Sequence, residues 1–364
     1  MRVKLGDIFE IGLGGTPSKT HPEYYGGDIP WVKTGDLKSE YLYDVEDYIT
    51  EEGLNNSSAK MYDEDTVLIA MYGATIGATS ILKFKACTNQ ACAAFKKSDS
   101  VIPEYLYYFL RSQRERFVKD GVGGAQPNIS AGYLKKIEME LPTIDEQREV
   151  VNLLDKVTGI LNKRTMEISA FDDLIKARFV ELFGDPVTNS NGLPTKRFDE
   201  ICENLDSKRK PITASDRVEG IYPYYGASGI VDHVADYIFD EDILLVSEDG
   251  ANLLMRSTPI AFSVNGKVWV NNHAHVVRFK KMSLQKYIEV YFSMIDISNQ
   301  ITGSAQPKLN QAKLNAMQFG IPDDVLLEEY YEFVKQVDKS KFEVQKALDE
   351  TQKLFDSLMQ QYFG

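Results

Sequence analysis

The 364-residue sequence has few cysteines and no long apolar run. Its three cysteines, Cys87, Cys92 and Cys202, form no CxxC pair. An odd number cannot all be joined as disulfides, which favours a reducing compartment. No apolar stretch approaches the roughly 18 residues that a membrane-spanning helix needs, and the first residues lack the apolar core of a signal peptide. The sequence therefore predicts a cytoplasmic protein with no membrane partner.

Motifs for common catalytic chemistry are also missing. The sequence contains no GxxxxGK[ST] loop, no HExxH and no GxSxG, and it lacks both Asn-Pro-Pro-Tyr and a strand followed by a glycine loop for S-adenosylmethionine. His273 and His275 alternate as two metal ligands on one strand face would, but neither has a cysteine or carboxylate beside it in the sequence. We therefore expect structural or solvent-facing histidines, no catalytic residue, no metal and no cofactor bound by this chain.

Positive charge is in deficit, yet it is concentrated in two segments. The chain has 41 Lys and Arg against 54 Asp and Glu, a net charge of −13, which argues against an indiscriminate nucleic-acid binder. Residues 83–136 nevertheless carry 10 basic and 4 acidic side chains, and residues 256–313 carry 8 and 2. Such bands favour contacts with DNA phosphates, although a solvated charged surface is the alternative. The candidate phosphate contacts are Lys83, Lys96, Lys97, Arg111, Arg278, Lys280 and Lys308.

The chain repeats itself at an offset of about 180 residues. The matching segments are 124–129 with 304–309 (GAQPNI and SAQPKL), 134–142 with 314–322, and 65–74 with 242–251 (DTVLIAMYGA and DILLVSEDGA). Short apolar runs at 66–70 and 243–246 are typical of buried strands, and residues 103–117 predict a short helix. Each repeat therefore begins with a β-rich part.

Each repeat ends in a long helix. Apolar residues recur in alternating steps of four and three along 150–182 and again along 330–362, which is the heptad pattern of a coiled coil. A helix of about 40 residues is about 60 Å long and needs an equally long partner. We expect the two helices to pair antiparallel within one chain, with a pseudo-two-fold relation between the repeats. The alternative is two free dimerisation zippers. The predicted fold is α+β, and its parts are domain 1 (1–142), helix 1 (143–186), domain 2 (187–322) and helix 2 (323–364).

Several segments together resemble one family. They are IPWVKTGDL (29–37), VLIAMYGATIG (67–77), GGAQPNIS (123–130), IEMELPTIDEQREVVNLLDKV (137–157) and ELFGDP (181–186). The sequence resembles the DNA-specificity subunit of type I restriction–modification systems over essentially its whole length. The second helix departs from the pattern, because Leu326-Leu327-Glu328 stands where the first has Glu-Gln-Arg.

The resemblance implies a non-catalytic subunit with two target-recognition domains. Each domain would read one half of a split double-stranded DNA target, and the paired helices would set the unread spacer. Two modification subunits would methylate adenine with S-adenosylmethionine, and restriction subunits would use ATP and Mg²⁺. A scaffold whose two domains bind peptides rather than DNA is the competing hypothesis.

Loop side chains are the candidates for reading base edges. Each of them has turn formation as its alternative role. The candidates are Lys33, Thr34, Asp36, Tyr72, Thr75 and Gln126 in the first repeat, and Tyr225, Ser228, Glu248, Asp249, Asn252, Gln306 and Lys308 in the second.

Overall fold

The computed structural model describes residues 1–121, 128–303 and 306–364, and these form two compact units. Unit 1 comprises Met1–Lys163 with Ala347–Gly364, and unit 2 comprises Arg164–Lys346. Each unit thus combines one β-rich segment with part of each long helix. The predicted divisions at residues 142, 186 and 322 instead follow the change from strand-rich to helical sequence, and they remain predictions.

The elements alternate short strands with short helices before each long helix. Those of the first half are β1 (Arg2–Lys4), α1 (Leu5–Ile8), β2 (Ile11–Leu13), β3 (Tyr25–Val32), β4 (Tyr41–Leu42), β5 (Tyr48–Ile49), α2 (Glu51–Asn55), β6 (Met61–Tyr62), β7 (Val67–Ala70), β8 (Thr79–Leu82), β9 (Ala86–Thr88), β10 (Cys92–Phe95), α3 (Pro103–Ser112), α4 (Arg114–Asp120), α5 (Ala131–Lys136), β11 (Glu138–Glu140) and α6 (Ile144–Phe183). Those of the second half are β12 (Thr195–Arg197), α7 (Phe198–Ile201), β13 (Glu203–Asn204), β14 (Glu219–Gly226), β15 (Gly229–Val234), β16 (Phe239–Asp240), β17 (Ile243–Ser247), α8 (Asn252–Met255), β18 (Ala261–Val264), β19 (Lys267–Val270), β20 (Ala274–Arg278), α9 (Met282–Met294), α10 (Gln311–Ala316), β21 (Gln318–Gly320) and α11 (Asp324–Phe363).

The sheets repeat between the units. In unit 1 the strand orders are β2-β10-β7-β8-β4 and β5-β3-β9-β6, and in unit 2 they are β13-β20-β17-β18 and β15-β14-β19-β16. The first and last strands of each β-rich segment form a two-stranded sheet, β1 with β11 and β12 with β21. In both second sheets one pair is parallel, β3 with β9 and β14 with β19. The internal repeat predicted from the sequence is therefore confirmed as a repeat of topology.

Buried strands lie at the centre of the first sheet of each unit. Every residue of β7 and of β17 is buried, as the apolar runs at 66–70 and 243–246 predict. The helix predicted over 103–117 is instead two helices, because the chain breaks at Gln113. The Gln113 side chain donates a hydrogen bond to the carbonyl of Phe363 (3.3 Å), so the break lets α3 and α4 follow the end of α11.

The boundaries of α6 follow local chemistry. Thr143 and Glu146 form a reciprocal cap at its start, in which the Thr143 amide donates to the Glu146 carboxylate (2.8 Å) and the Glu146 amide donates to the Thr143 hydroxyl (3.3 Å). At its end Gly184 takes a φ of +79°, which favours glycine and stops the helix. The helix itself therefore spans Ile144–Phe183.

The predicted seam is the packed face of both long helices. The seam consists of the heptad positions, and none of these residues is exposed. They are Val150, Leu154, Val157, Leu161, Arg164, Ile168, Phe171, Ile175, Arg178 and Leu182 in α6, and Tyr330, Val334, Val337, Lys341, Val344, Leu348, Thr351, Phe355, Leu358 and Tyr362 in α11. The heptad pattern missed Phe179 and Phe183, which are 0% and 2% exposed. A helix with 3.6 residues per turn drifts from a 3.5-residue repeat, which moves the buried stripe towards them at the end of α6.

In unit 1 the beginning of α6 packs beside the end of α11. Tyr108 of α3 donates a hydrogen bond to Asp155 (2.7 Å), and its ring lies 6.4 Å from that of Phe355. Tyr362, two turns further along α11, lines a cleft with Val150 near the start of α6. The two helix segments therefore run antiparallel within this unit.

In unit 2 the end of α6 packs beside the beginning of α11. The Phe179 ring lies 5.7 Å from that of Tyr330, whose hydroxyl donates to the Ile175 carbonyl (3.2 Å). Lys341, three turns along α11, pairs with Asp172 at 2.5 Å. The helix segments are again antiparallel, as predicted from the sequence.

Candidate nucleic-acid interface

Backbone hydrogen bonds draw the carboxyl ends of three strands together in unit 1. The amide of Asn89, just after β9, donates to Val32 at the end of β3 (2.9 Å). The amide of Met71, just after β7, donates to Ala91 (2.8 Å), and that of Ile129 donates to Met71 (3.0 Å). The four segments 33–36, 71–76, 89–91 and 128–129 therefore form one surface, which we name the loop edge of unit 1.

The same hydrogen bonds recur in unit 2. Asn271 donates to Tyr225 (3.0 Å), Glu248 donates to His273 (2.9 Å), and Leu309 donates to Glu248 (2.8 Å). Segments 225–229, 248–250, 271–273 and 306–309 form the loop edge of unit 2. In both units, therefore, the loop after the central strand meets the segment that follows the repeated Gln-Pro dipeptide (128–129 and 308–309), although the two lie more than 50 residues apart in the sequence.

One asparagine in each unit organises its loop edge and was missed by the sequence reasoning. The side-chain oxygen of Asn89 accepts from the amide of Ala91 (3.1 Å), and that of Asn271 accepts from the amide of His273 (2.8 Å). Such a turn carries the chain from one sheet to the other. Asn89 and Asn271 are 182 residues apart, close to the repeat offset, and this is the signal that could have identified them.

The candidate readers of unit 1 gather at its loop edge. Thr34–Asp36 form a 3-10 turn directly after β3, where the Asp36 carboxylate accepts from the Lys33 amide (2.7 Å) and the Lys33 ammonium pairs with Asp47. Tyr72 is exposed and forms a β-bridge with Asn128, and the Thr75 hydroxyl donates to the Tyr72 carbonyl (3.3 Å). Gln126 lies outside the described residues. The sequence thus predicted a set of side chains that share one surface.

The candidate readers of unit 2 gather in the same way, but three of them, Glu248, Asp249 and Lys308, already form ion pairs within the protein. Glu248 is buried and pairs with Arg209 (2.6 Å) and Lys308 (3.0 Å), and Asp249 pairs with His273 (2.9 Å). Burial alone would raise the pKa of Glu248, but the hydrogen bonds from Arg209 and Lys308 hold that pKa below its usual value. A carboxylate that is already bonded in this way is better suited to holding the loop in place than to accepting a hydrogen bond from a base.

The other candidates of unit 2 differ in their freedom. Tyr225 is half-buried against Phe262, whereas Ser228 and Gln306 are exposed. The side-chain amide of Asn252 forms hydrogen bonds within its own loop. Its oxygen accepts from the Ser257 hydroxyl and the Thr258 backbone amide, and its nitrogen donates to the Thr258 carbonyl (2.9–3.0 Å). Its contacts fit the alternative role of a turn former, and its predicted contact with DNA remains untested.

Carboxylates lie beside both histidines, although none is adjacent to either of them in the sequence. His275 is 1% exposed, and its Nδ1 lies 2.6 Å from Asp206. Strand pairing brings these residues together from distant parts of the sequence. The ligand atoms of Asp206, Glu248 and His275 lie close enough to hold a metal ion. Arg209 reaches both carboxylates, however, and so their charge is already balanced by a cation.

Three of the basic side chains predicted to contact phosphates in unit 1 lie away from its loop edge. Lys96 and Lys97 follow β10 and Lys83 follows β8, both of which run antiparallel to β7. These lysines therefore lie at the amino end of β7, about 13 Å from the loop edge at about 3.3 Å per residue. Lys83 and Lys97 pair with Asp65 (2.8 and 3.4 Å), and Lys96 pairs with Glu10 (2.7 Å). The hydrogen bond from Lys83 is the main cause of the lowered pKa of Asp65.

Unit 2 divides its basic band in the same way. Arg278 is the last residue of β20, and Lys280 follows it. Because β20 is antiparallel to β17, both residues also lie at the amino end of the central strand. Arg278 pairs with Glu203 (2.5 Å) and Glu241 (2.8 Å). Only Lys308 of the predicted phosphate contacts in this unit belongs to the loop edge. Antiparallel strands thus separate charges that are neighbours in the sequence, and the contacts of these residues with phosphates remain predictions.

Arg111, the remaining predicted phosphate contact, lies on α3 away from the loop edge. It donates to the Tyr107 hydroxyl (3.1 Å) and lines a cavity of about 560 Å³ with Glu40 and Thr158. Burial and the nearby charge of Asp155 raise the pKa of Glu40. Among the described residues, one oxygen of the Glu40 carboxylate has no hydrogen-bond partner. This carboxylate is therefore costly to ionise in the folded protein.

The repeated units, each with a loop edge built on the same hydrogen bonds, define a two-module recognition protein. The family model described as the type I restriction modification DNA specificity domain matches residues 1–170 and 192–352, once in each repeat. The chain therefore belongs to the family of type I restriction–modification DNA specificity proteins.

Individual relatives agree with this assignment. The chain is 24% identical to the specificity subunit of the type I restriction enzyme MjaIX of Methanocaldococcus jannaschii, over 98% of this chain and 90% of that protein. It is also 24% identical to the EcoprrI specificity subunit of Escherichia coli, over 87% and 82% of the two chains. The crystal structure of a type I S subunit from M. genitalium has the same fold, with a TM-score of 0.56, 17% identity and coverage of 100% of this chain and 96% of that one.

The family assignment decides between the two functional hypotheses. The role of this family is DNA sequence specificity, as the non-catalytic recognition component of a type I system. The hypothesis of a peptide-binding scaffold is not favoured. DNA and the methyltransferase and restriction subunits of such systems are the implied partners. Among the described residues, no helix is long and apolar enough to span a membrane.

Replacing Glu40 by Gln should stabilise the protein at neutral pH. The pKa of Glu40 is raised above 4.5 in the folded state, so the ionised carboxylate lowers stability at pH values above its folded pKa, and this cost disappears as the pH falls to about 4.5. We expect E40Q to raise the thermal unfolding temperature at pH 7.5 and to change it little at pH 4.5.

The matched control for this prediction is E64Q, because Glu64 is exposed. We expect E64Q to leave the unfolding temperature unchanged at both pH values. A destabilising effect of E40Q at pH 7.5, or an equal gain at both pH values, would contradict this account of the cavity.

Proposed function

We propose that each unit reads one half of a split DNA target through its loop edge, and that α6 and α11 set the length of the spacer. The observation that carries this proposal is that the two loop edges share the same backbone hydrogen bonds but present different side chains. Tyr72 and Asn128 in unit 1 stand where Asp249 and Lys308 stand in unit 2. A shared frame with different side chains is what two modules need to read different bases.

The polar groups at the loop edges suit contacts with base edges in the major groove. Lysine donates to guanine, and asparagine makes paired bonds to adenine. Asn128 and Gln306 are exposed, and 48% of the Lys308 side chain is accessible. In this proposal Lys33, Thr34, Asp36, Tyr72, Thr75, Tyr225, Ser228, Asp249, Gln306 and Lys308 face the bases.

The basic side chains at the amino ends of the central strands are less available to contact DNA. Lys83, Lys96, Lys97 and Arg278 each pair with a carboxylate in the protein, so a phosphate would have to replace that partner. With a net charge of −13, the chain alone should bind DNA weakly. We therefore propose that two modification subunits supply much of the phosphate contact and carry S-adenosylmethionine, and that the complex works in the cytoplasm.

Exchanging one recognition domain tests the division of the target. Replacing residues 1–142 by the corresponding domain of another family member should change one half of the methylated sequence and leave the other half and the spacer intact. Sequencing of methylated sites in cells that carry the chimera and its modification subunit measures the result. Exchange of residues 187–322 is the matched control and should change the opposite half. A chimera with both halves changed would contradict the proposal.

Lengthening both helices tests their role in the spacer. Seven residues inserted after Lys163 in α6 and after Lys346 in α11 keep the heptad register and add about 10 Å to each helix. Since ten base pairs span about 34 Å, the spacer of the methylated target should grow by about three base pairs with unchanged half-sites. The same insertion in α6 alone breaks the register between the helices and should abolish methylation. An unchanged spacer in the double insertion would refute the role of the helices.

A further inference from the structure

A partly buried arginine, Arg209, connects the segments of the loop edge of unit 2. Arg209 donates to the Glu248 carboxylate (2.6 Å) and to the Ala274 carbonyl (2.7 Å) through Nη1, and to the Asp206 carbonyl through Nε (3.2 Å). Only 14% of its side chain is exposed. This one guanidinium therefore connects three segments that are far apart in the sequence.

Two further side chains, Lys308 and His275, extend the network to the segment that follows the Gln-Pro dipeptide. Glu248 accepts from Lys308 (3.0 Å), and His275 contacts Asp206 through Nδ1 (2.6 Å) and the Leu309 carbonyl through Nε2 (2.8 Å). Two cations, two carboxylates and the His275 ring thus meet at the loop edge.

The described residues of unit 1 form no counterpart of this network. Pairing of β10 with β2 and β7 puts Ala93 opposite Leu13 and Ile69, and the same registers put His275 opposite Val246 and, extended by two residues, opposite Asp206. The residue after the central strand is Met71 in unit 1 and Glu248 in unit 2. Where unit 2 has Glu248 and His275, unit 1 therefore has the apolar Met71 and Ala93, and the two units share the backbone hydrogen bonds and the side-chain bonds of Asn89 and Asn271.

We propose that Arg209 is the positioning residue of the second recognition module, which fixes the loop 248–250 and, through Glu248, the ammonium of Lys308. The inference rests on the proposed function of the loop edges. Lys308 is the one basic predicted contact at this edge, and a lysine at a fixed place can distinguish guanine from other bases. Without Arg209 the Glu248 carboxylate has one fewer partner, and Lys308 loses its fixed position.

The test uses the complete methyltransferase complex and a target mapped from methylated sites. Binding is measured to the intact target and to two targets that each carry substitutions in one half-site. We expect R209M to reduce discrimination at the half-site read by unit 2 by at least about tenfold, which corresponds to about 1.4 kcal/mol, and to leave discrimination at the other half-site unchanged. K210M removes the same charge from the exposed neighbouring residue and should change neither.

A double variant separates positioning from folding. R209M leaves a buried carboxylate with a weakened set of partners, which lowers stability. R209M/E248M removes both charges and imitates Met71 of unit 1, so it should recover most of the thermal stability. It should nevertheless keep the loss of discrimination at the same half-site, because Lys308 no longer has an anchor.

Three outcomes would overturn the proposal. They are unchanged discrimination in R209M, equal loss at both half-sites, and full recovery of discrimination in the double variant. If the wild-type complex itself did not distinguish substitutions in either half-site, the proposed function would fail, and this result is separable because it needs no variant.

Discussion

Each loop edge depends on a short chain of backbone hydrogen bonds between strands of two different sheets. In unit 1 the chain runs from Val32 through Asn89 and Ala91 to Met71 and Ile129, and its lengths are 2.8–3.0 Å. Backbone groups at strand ends must find partners when they are partly buried. Here they find them in one another, which fixes where the loops lie and leaves the loop side chains free to differ. The same frame in unit 2 carries different side chains.

The two units stabilise this common frame by different means. Unit 1 places Met71 and Ala93 behind its loop edge, and burial of apolar surface needs no specific partner. Unit 2 places Glu248 and His275 at the corresponding positions and adds Arg209, and buried charges tolerate the loss of a partner poorly. The recognition surface of unit 2 therefore depends on particular residues in a way that the surface of unit 1 does not.

Sequence patterns predicted the elements and the repeat well, because they depend on local spacing. The apolar runs ending at Ala70 and Val246 and the seams of the two long helices are all found where expected. The loop after the central strand and the Gln-Pro segment were each conspicuous because they recur in both repeats. Nothing in the sequence predicted that these two segments are in contact.

Charge was the less reliable guide, since its effect depends on pairing across the sheet. Lys83 and Lys97 lie beside Asp65 because β8 and β10 both run back along β7, and no spacing in the sequence expresses that. The carboxylate partners of His275 were missed for the same reason, since Asp206 precedes it by 69 residues. Asn89 and Asn271 were missed because one polar residue after a strand has many possible roles.

Photocrosslinking of the assembled complex tests most directly whether the loop edges contact the bases. A photoreactive residue is placed singly at Tyr72 or Lys308, on the loop edges, and at Lys97 or Lys280, at the opposite ends of the central strands. The account predicts crosslinks to bases from Tyr72 in one half-site and from Lys308 in the other, with none to bases from Lys97 or Lys280. Base crosslinks from Lys97 and Lys280, with none from Tyr72 and Lys308, would contradict it.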